Sequence, residues 1–196
     1  MTAVRFAAAL VFLLAALPAV GQLSPADPAN GIVLVAKPML ADPNFREAVV
    51  LVTQAPDGST VGVILNRPTQ QRHERTREII YSGGPVMREV IVALFRADRA
   101  PTASAFHVAQ GIWLSMHPAN LDELPSRPGQ RFRLFAGFAG WAPGQLQREL
   151  DLDAWIVLPV TDDLLFRADT RGMWKELIEK SRGSRASAKI GDRLCS

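Results

Sequence analysis

A chain of 196 residues with a formal charge of only +3 is long enough for one domain with a sizeable core. Its 22 basic side chains stand against 19 acidic ones, so composition supplies no field of one sign that would draw nucleic acid. The single cysteine, Cys195, excludes an intramolecular disulfide and a cysteine metal cluster, leaving a tail thiol able at most to pair between chains.

Residues 1–21 read as a secretory signal. Arg5 precedes an apolar run over 6–17, and Ala19-Val20-Gly21 places small residues where a signal peptidase cuts. As a helix that run would reach about 18 Å, short of the roughly 30 Å hydrocarbon core, which argues against a permanent anchor. Losing Arg5 with the leader takes the charge from +3 to about +2. The expected address is periplasmic or secreted; the alternative is a cytoplasmic protein whose start is set too far upstream. Residues 22–30, with Pro25, Pro28 and Asn30, suit an extended linker. The domain is expected to span 31–181.

Residues 32–36 suit a strand, and 38–45, with two prolines, Asp42 and Asn44, a loop. Two β-branched runs, 48–53 and 61–65, flank Pro56-Asp57-Gly58 and predict a hairpin that Asn66-Arg67-Pro68 closes. An arginine-rich loop over 70–77 follows, then a brief strand at 79–81 running into Ser82-Gly83-Gly84-Pro85, and a strand at 90–95. Residues 106–108 and 112–114 predict a second hairpin, and 117–124 a short helix in which Asn120 caps a turn.

Residues 131–150, RFRLFAGFAGWAPGQLQREL, form the organising stretch. Apolar residues dominate 132–138, fitting a buried strand; Gly137, Gly140 and Gly144 then bracket Trp141 and Pro143 at a turn, and Leu146 and Leu150 share one face of a helix. Pro143 fits that helix's first turn. A further buried strand is expected at 155–160. Thr170 is the expected N-cap of a last helix with Trp174, Leu177 and Ile178 on one face and Glu176 paired with Lys180. From 182 to 196 the chain turns polar and small, as in a disordered tail. Several hairpins and few helices give α+β in a single domain.

The organising stretch resembles the G-Y-A-G-W-G-x-G-Q-L-x-x-E-L signature of the YqgE/AlgH family. KPMLADPNFREAVVLVTQ at 37–54, GVILNRP at 62–68, YSGGPV at 81–86 and AWIVLPVTDDLLF at 154–166 match in the same order. The resemblance implies a branched, partly barrel-like β-sheet surrounded by helices. It implies a candidate binding cleft at Asn66, Arg67, Gly83, Gly84, Trp141 and Gln145. One segment departs: 91–95 reads IVALF where the family commonly has G-F-V-L-H, so no role for that histidine carries over.

No G-x-S-x-G elbow is present, and Ser82 beside Gly83 reads as a turn serine rather than a nucleophile. His73, His107 and His117 are scattered without metal-ligand spacing, so no metal and no cofactor is expected. The adjacent Asp162 and Asp163 suit a helix start or turn. The glycines before the second helix could face a phosphate, but lack the P-loop's Lys-Ser/Thr, and close packing is the simpler account. That helix carries Arg148 with Glu149, Asp151 and Asp153, charges that repel DNA, and no helix-turn-helix pair is visible. The expected function is therefore non-enzymatic binding of a protein partner or a small anionic ligand. The alternatives are a hydrolase-type enzyme with a fold-assembled site and a cytosolic transcriptional regulator. Residues 1–23 fused to a reporter should be exported and cut after Gly21, and mass spectrometry of the mature N-terminus reads the outcome.

Overall fold

β2 (Val49–Gln54) and β3 (Thr60–Ile64) pair antiparallel in the computed structural model, which describes residues 29–55, 57–126 and 129–194, the last of these as helix backbone alone from 184 on. β1 (Ile32–Ala36) lies along the other edge of β2, and β10 (Trp155–Pro159) lies beyond it. Val49 and Leu51 of β2 pack with Val33 and Phe135, while Val50 and Val52 pack with Leu34, Phe45 and Trp141 on the opposite face. Burial on both faces explains why these strands read as continuous apolar runs.

β9 (Phe132–Trp141) is the trunk. One of its edges pairs antiparallel with β6 (Val86–Arg96). The other is shared: β5 (Ile79–Ser82) runs parallel to it opposite Leu134–Ala136, and β3 antiparallel opposite Ala139–Trp141. β8 (Ile112–Ser115) follows β6, and β7 (Phe106–Ala109) follows β8. The main path is therefore β10-β1-β2-β3-β9-β6-β8-β7. Gly31 N–H donates to the Val108 carbonyl (2.9 Å) and Asn30 N–H to that of His107 (3.3 Å), so the far edge curls back toward β1. The fold is α+β, one domain built on a curled, branched half-barrel surrounded by helices, as expected, with four α-helices among the described residues.

The helices cover the faces. Leu124, just past α1 (Pro118–Glu123), packs with Phe95 and Trp113; Leu146 and Leu150 of α2 (Gln145–Asp151) pack on the Phe45, Trp141 and Trp155 cluster. Leu164 and Leu165 of α3 (Asp162–Phe166) join Met173, Leu177 and Ile178 of α4 (Met173–Leu194) over the remaining face. Among the described residues no helix is long and apolar enough to cross a membrane.

Several expectations differ from what is observed. The polar loop at 70–77 begins as strand: β4 (Pro68–Arg72) pairs with β5, and its mostly exposed, polar side chains over 69–72 hid the pairing. β6 starts at Val86 rather than 90, with a register shift between Val86 and Ile91 where Met87 takes a φ of 45°. Pro143 lies before α2, whose N-cap is Gly144 with φ 74°. His117, not Asn120, caps α1, its Nδ1 accepting from Ala119 N–H at 3.2 Å. Thr170 precedes α4 without a side-chain cap, because Gly172 (φ 68°) intervenes and the Thr170 carbonyl accepts from Met173 N–H instead. α4 continues as helix to Leu194, through the segment expected to be a disordered tail; its alanines, lysine and arginines are good helix formers. Asn30, placed in the linker, is tied down by its side chain, which donates to the Gln54 carbonyl and accepts from Thr53 and Gln54. The leader and Cys195 lie outside the described residues.

Of the three glycines at the expected turn, Gly140 is not tightly packed: a Cβ there would meet only a Phe138 ring carbon at 3.9 Å. The constraint sits three residues earlier. Gly137 has φ 71°, and a Cβ on it would lie 2.8 Å from the Val86 carbonyl oxygen and 2.9 Å from that of Gly84. Gly137→Val should therefore lower the melting midpoint by several degrees, combining left-handed strain with overpacking of about 1 to 3 kcal/mol each. Gly140→Val, in an exposed strand position, should leave it unchanged or raise it slightly.

Candidate functional site

Asn66, at the end of β3, substitutes for a strand neighbour. Its Oδ1 accepts from Val49 N–H at 2.9 Å and its Nδ2 donates to the Glu47 carbonyl at 2.8 Å, holding Glu47 at a φ of 53°. Arg67 donates to the carbonyls of Asn44 (2.7 Å) and Arg46 (2.9 Å), and burial pushes its pKa below the usual arginine range. Together they clamp the loop at 42–47. That loop carries Phe45, whose ring stacks on Trp141 at 5.4 Å and meets Trp155 edge-on at 5.5 Å.

Trp141 is only 3% exposed, so it does not line an open cleft. Its Nε1–H donates to Glu149 Oε2 at 3.1 Å, and Trp155 Nε1–H donates to the same oxygen at 2.9 Å. Gln145 completes the junction: its Nε2 donates to Glu149 Oε1 (3.1 Å) and its Oε1 accepts from Ala142 N–H (3.2 Å). Glu149 is thus the hub of this corner. Nothing in its local sequence marks it beyond the i,i+4 spacing from Gln145. Gly83 and Gly84 sit apart at the sheet fork, where a Cβ on either would overlap the backbone of Gly137 or Phe138. The six residues accordingly divide into a loop clamp, an aromatic junction and a backbone crossing, rather than one concave surface.

Asn66 also borders a cavity of about 430 Å³. Glu47 and Pro68 share its wall with Asn66, and the opposite wall is the start of α4, from Thr170 to Lys175. Thr170 is 4% exposed, and its Oγ1 has no hydrogen-bond partner among the described residues. A buried hydroxyl without a partner is costly and points to an absent one. Trp174 is fixed by donating from Nε1 to the Ala36 carbonyl at 2.6 Å. Arg171 forks onto Asp169 (Nε–Oδ1 2.9 Å, NH2–Oδ2 2.6 Å), and those hydrogen bonds hold the Asp169 carboxyl down at about 2. Lys175 and Glu47 form no ion pair among the described residues. The cavity therefore offers a hydroxyl, an ammonium and the positive end of a long helix, set against one carboxylate.

Catalytic groups do not gather. Ser82 makes no hydrogen bond to a histidine among the described residues; His73 bonds Thr76, His107 stacks on Trp113 at 4.4 Å, and His117 caps α1. No group of three or more His, Cys, Asp or Glu able to hold a metal occurs among the described residues.

A curled half-barrel forked at a Gly-Gly turn places the protein in a defined class of single-domain α+β structures. A solved structure from Corynebacterium diphtheriae, protein DIP2367, matches with a TM-score of 0.62 and 26% identity, covering 81% of this chain and 90% of that one. AlgH from Pseudomonas aeruginosa shares the fold with a TM-score of 0.60 at 24% identity, over 86% and 93% of the two chains. The AlgH-like family model matches residues 33–186, and a UPF0301 protein of Thermobifida fusca is 35% identical over 176 residues, 80% of this chain and 89% of that protein. A Streptomyces avermitilis UPF0301 protein is 34% identical over 80% of this chain and 89% of its own. The chain belongs to the AlgH-like family.

Trp141→Ala should lower the melting midpoint strongly, since losing a buried indole costs roughly 3 to 5 kcal/mol. Glu149→Leu should also destabilise, by about 1 to 3 kcal/mol, because two buried indole N–H groups lose their acceptor. Thermal unfolding followed by tryptophan fluorescence reads both.

Proposed function

We propose that this protein is an exported, non-enzymatic binding protein whose ligand is a small anion held in the cavity between Asn66 and the start of α4. The observation that carries the reading is the buried, unpartnered Thr170 hydroxyl at the positive end of a 22-residue helix, with Lys175 on the same wall. A carboxylate, sulfate or phosphate oxygen would accept from Thr170 Oγ1 and from the Lys175 ammonium, and the helix end would favour its charge. Asn66 and Arg67 act indirectly: they fix the loop that forms the facing wall. Glu47 works against an anion, which limits affinity and makes its removal informative.

Export follows from the leader. With the scattered histidines and the unengaged Ser82, the supported role is binding rather than turnover. Titrating the full chain with inorganic phosphate or sulfate, followed by amide NMR, should shift the signals of Thr170 to Lys175. Thr170→Val and Lys175→Gln should each weaken binding about tenfold, the worth of one charge-assisted hydrogen bond, whereas Glu47→Gln should tighten it. Shifts absent from this segment, or an affinity indifferent to all three variants, would overturn the anion site.

A further inference from the structure

A second cavity, of about 370 Å³, opens elsewhere, between the connection after β6, the end of α1 and the residue before β9. Phe95, Pro101 and Leu124 give it an apolar part. Two carboxamides border it. Asn120, 5% exposed, spends its Nδ2 on the Ser104 carbonyl (3.1 Å) and Ser115 Oγ (2.8 Å), which locks α1 to the connection. Gln130 donates from Nε2 to the Arg96 carbonyl at 2.7 Å, and this bond fixes the amide while its Oε1 stays buried with no partner among the described residues. The wall therefore presents an acceptor that lacks a donor. It also carries charges of both signs: Asp98 and Arg99, neither in an ion pair among the described residues.

We propose that this cavity is a separate binding site for a small zwitterion carrying an ammonium and a carboxylate on a short apolar body, an α-amino acid being the simplest member. The ammonium supplies the N–H that Gln130 Oε1 lacks and faces Asp98. The carboxylate faces the Arg99 guanidinium, which takes carboxylates in a two-pronged geometry. Pro101, Phe95 and Leu124 receive the apolar body. A simple anion would meet the Gln130 oxygen and the Asp98 carboxylate, and a simple cation would meet Arg99; a molecule with both charges satisfies each wall. The site shares no lining residue with the cavity at α4 and stands whether or not that cavity holds an anion.

Calorimetric titration of the full chain with leucine tests this, with 3-methylbutylamine and 4-methylpentanoate as probes lacking the carboxylate and the ammonium respectively. Leucine should bind at least about tenfold more tightly than either, and Gln130→Leu and Arg99→Ala should each weaken it about tenfold. Arg99 is exposed, so Arg99→Ala keeps the test decisive even if Gln130→Leu disturbs folding through the lost Arg96 bond. Failure of leucine to bind, equal binding of either half-molecule, or leucine binding unchanged in Arg99→Ala would overturn the proposal.

Discussion

The sheet depends on one backbone crossing. Gly83 N–H donates to the Ala136 carbonyl on β9, and the Gly83 carbonyl accepts from Ile64 N–H on β3, both at 2.8 Å. A single residue therefore hands the second edge of β9 from β5 to β3. The exchange needs two chains to pass closer than any Cβ allows, which is why glycine stands at 83 and 84 and again at Gly137 across from them. A forked sheet can curl where a continuous one would stay open, and the curl brings the β7 edge back to Asn30 and Gly31.

A buried cation then fastens helix to strand beside the crossing. Arg133 on β9, 7% exposed, donates to the carbonyls of Leu65 (2.7 Å) and Leu165 (3.0 Å) and lies over the Tyr81 ring at 3.9 Å. Burial pushes its pKa below the usual arginine range, and Tyr81 partly offsets that. No carboxylate pairs with it among the described residues; two carbonyl dipoles and an aromatic face carry the charge, where the fork geometry of a guanidinium suits it better than an ammonium. Leu65 precedes Asn66, and Leu165 lies in α3 just ahead of Thr170. The guanidinium thus sets the spacing of the two walls that bound the cavity at α4.

The parts of the fold legible in the sequence are those with an apolar period or a strong turn. β1, β2, β3 and β9 show their burial in their composition, and Leu146 and Leu150 mark the face of α2. β4 is invisible because its partners are backbone groups and, Pro68 apart, its side chains are polar and mostly exposed. α3 is five residues long, below the length at which a helical period can be read, although Asp162 and Asp163 signal its start. The site was legible only in part. Asn66 and Arg67 were found through a shared motif, yet their heads turn to backbone carbonyls; Thr170 and Gln130 matter because of what each lacks in three dimensions, and a missing partner has no sequence signature.

That division bears on how a shared motif should be read. Asn66-Arg67-Pro68, Gly83-Gly84 and the Trp141 to Gln145 corner carry the family resemblance, and each has a complete account in hydrogen bonding or close packing. Asn66 and Arg67 satisfy three carbonyls of one loop and the first N–H of β2, the glycines permit the crossing, and the tryptophans share one carboxylate. Those contacts give each motif residue a structural role of its own. Two of the buried polar atoms left without a partner among the described residues lie elsewhere, at Thr170 before α4 and at Gln130, outside the motif. The signature builds the fork, the loop clamp and the aromatic corner, while the two cavities are lined mainly by residues beyond it.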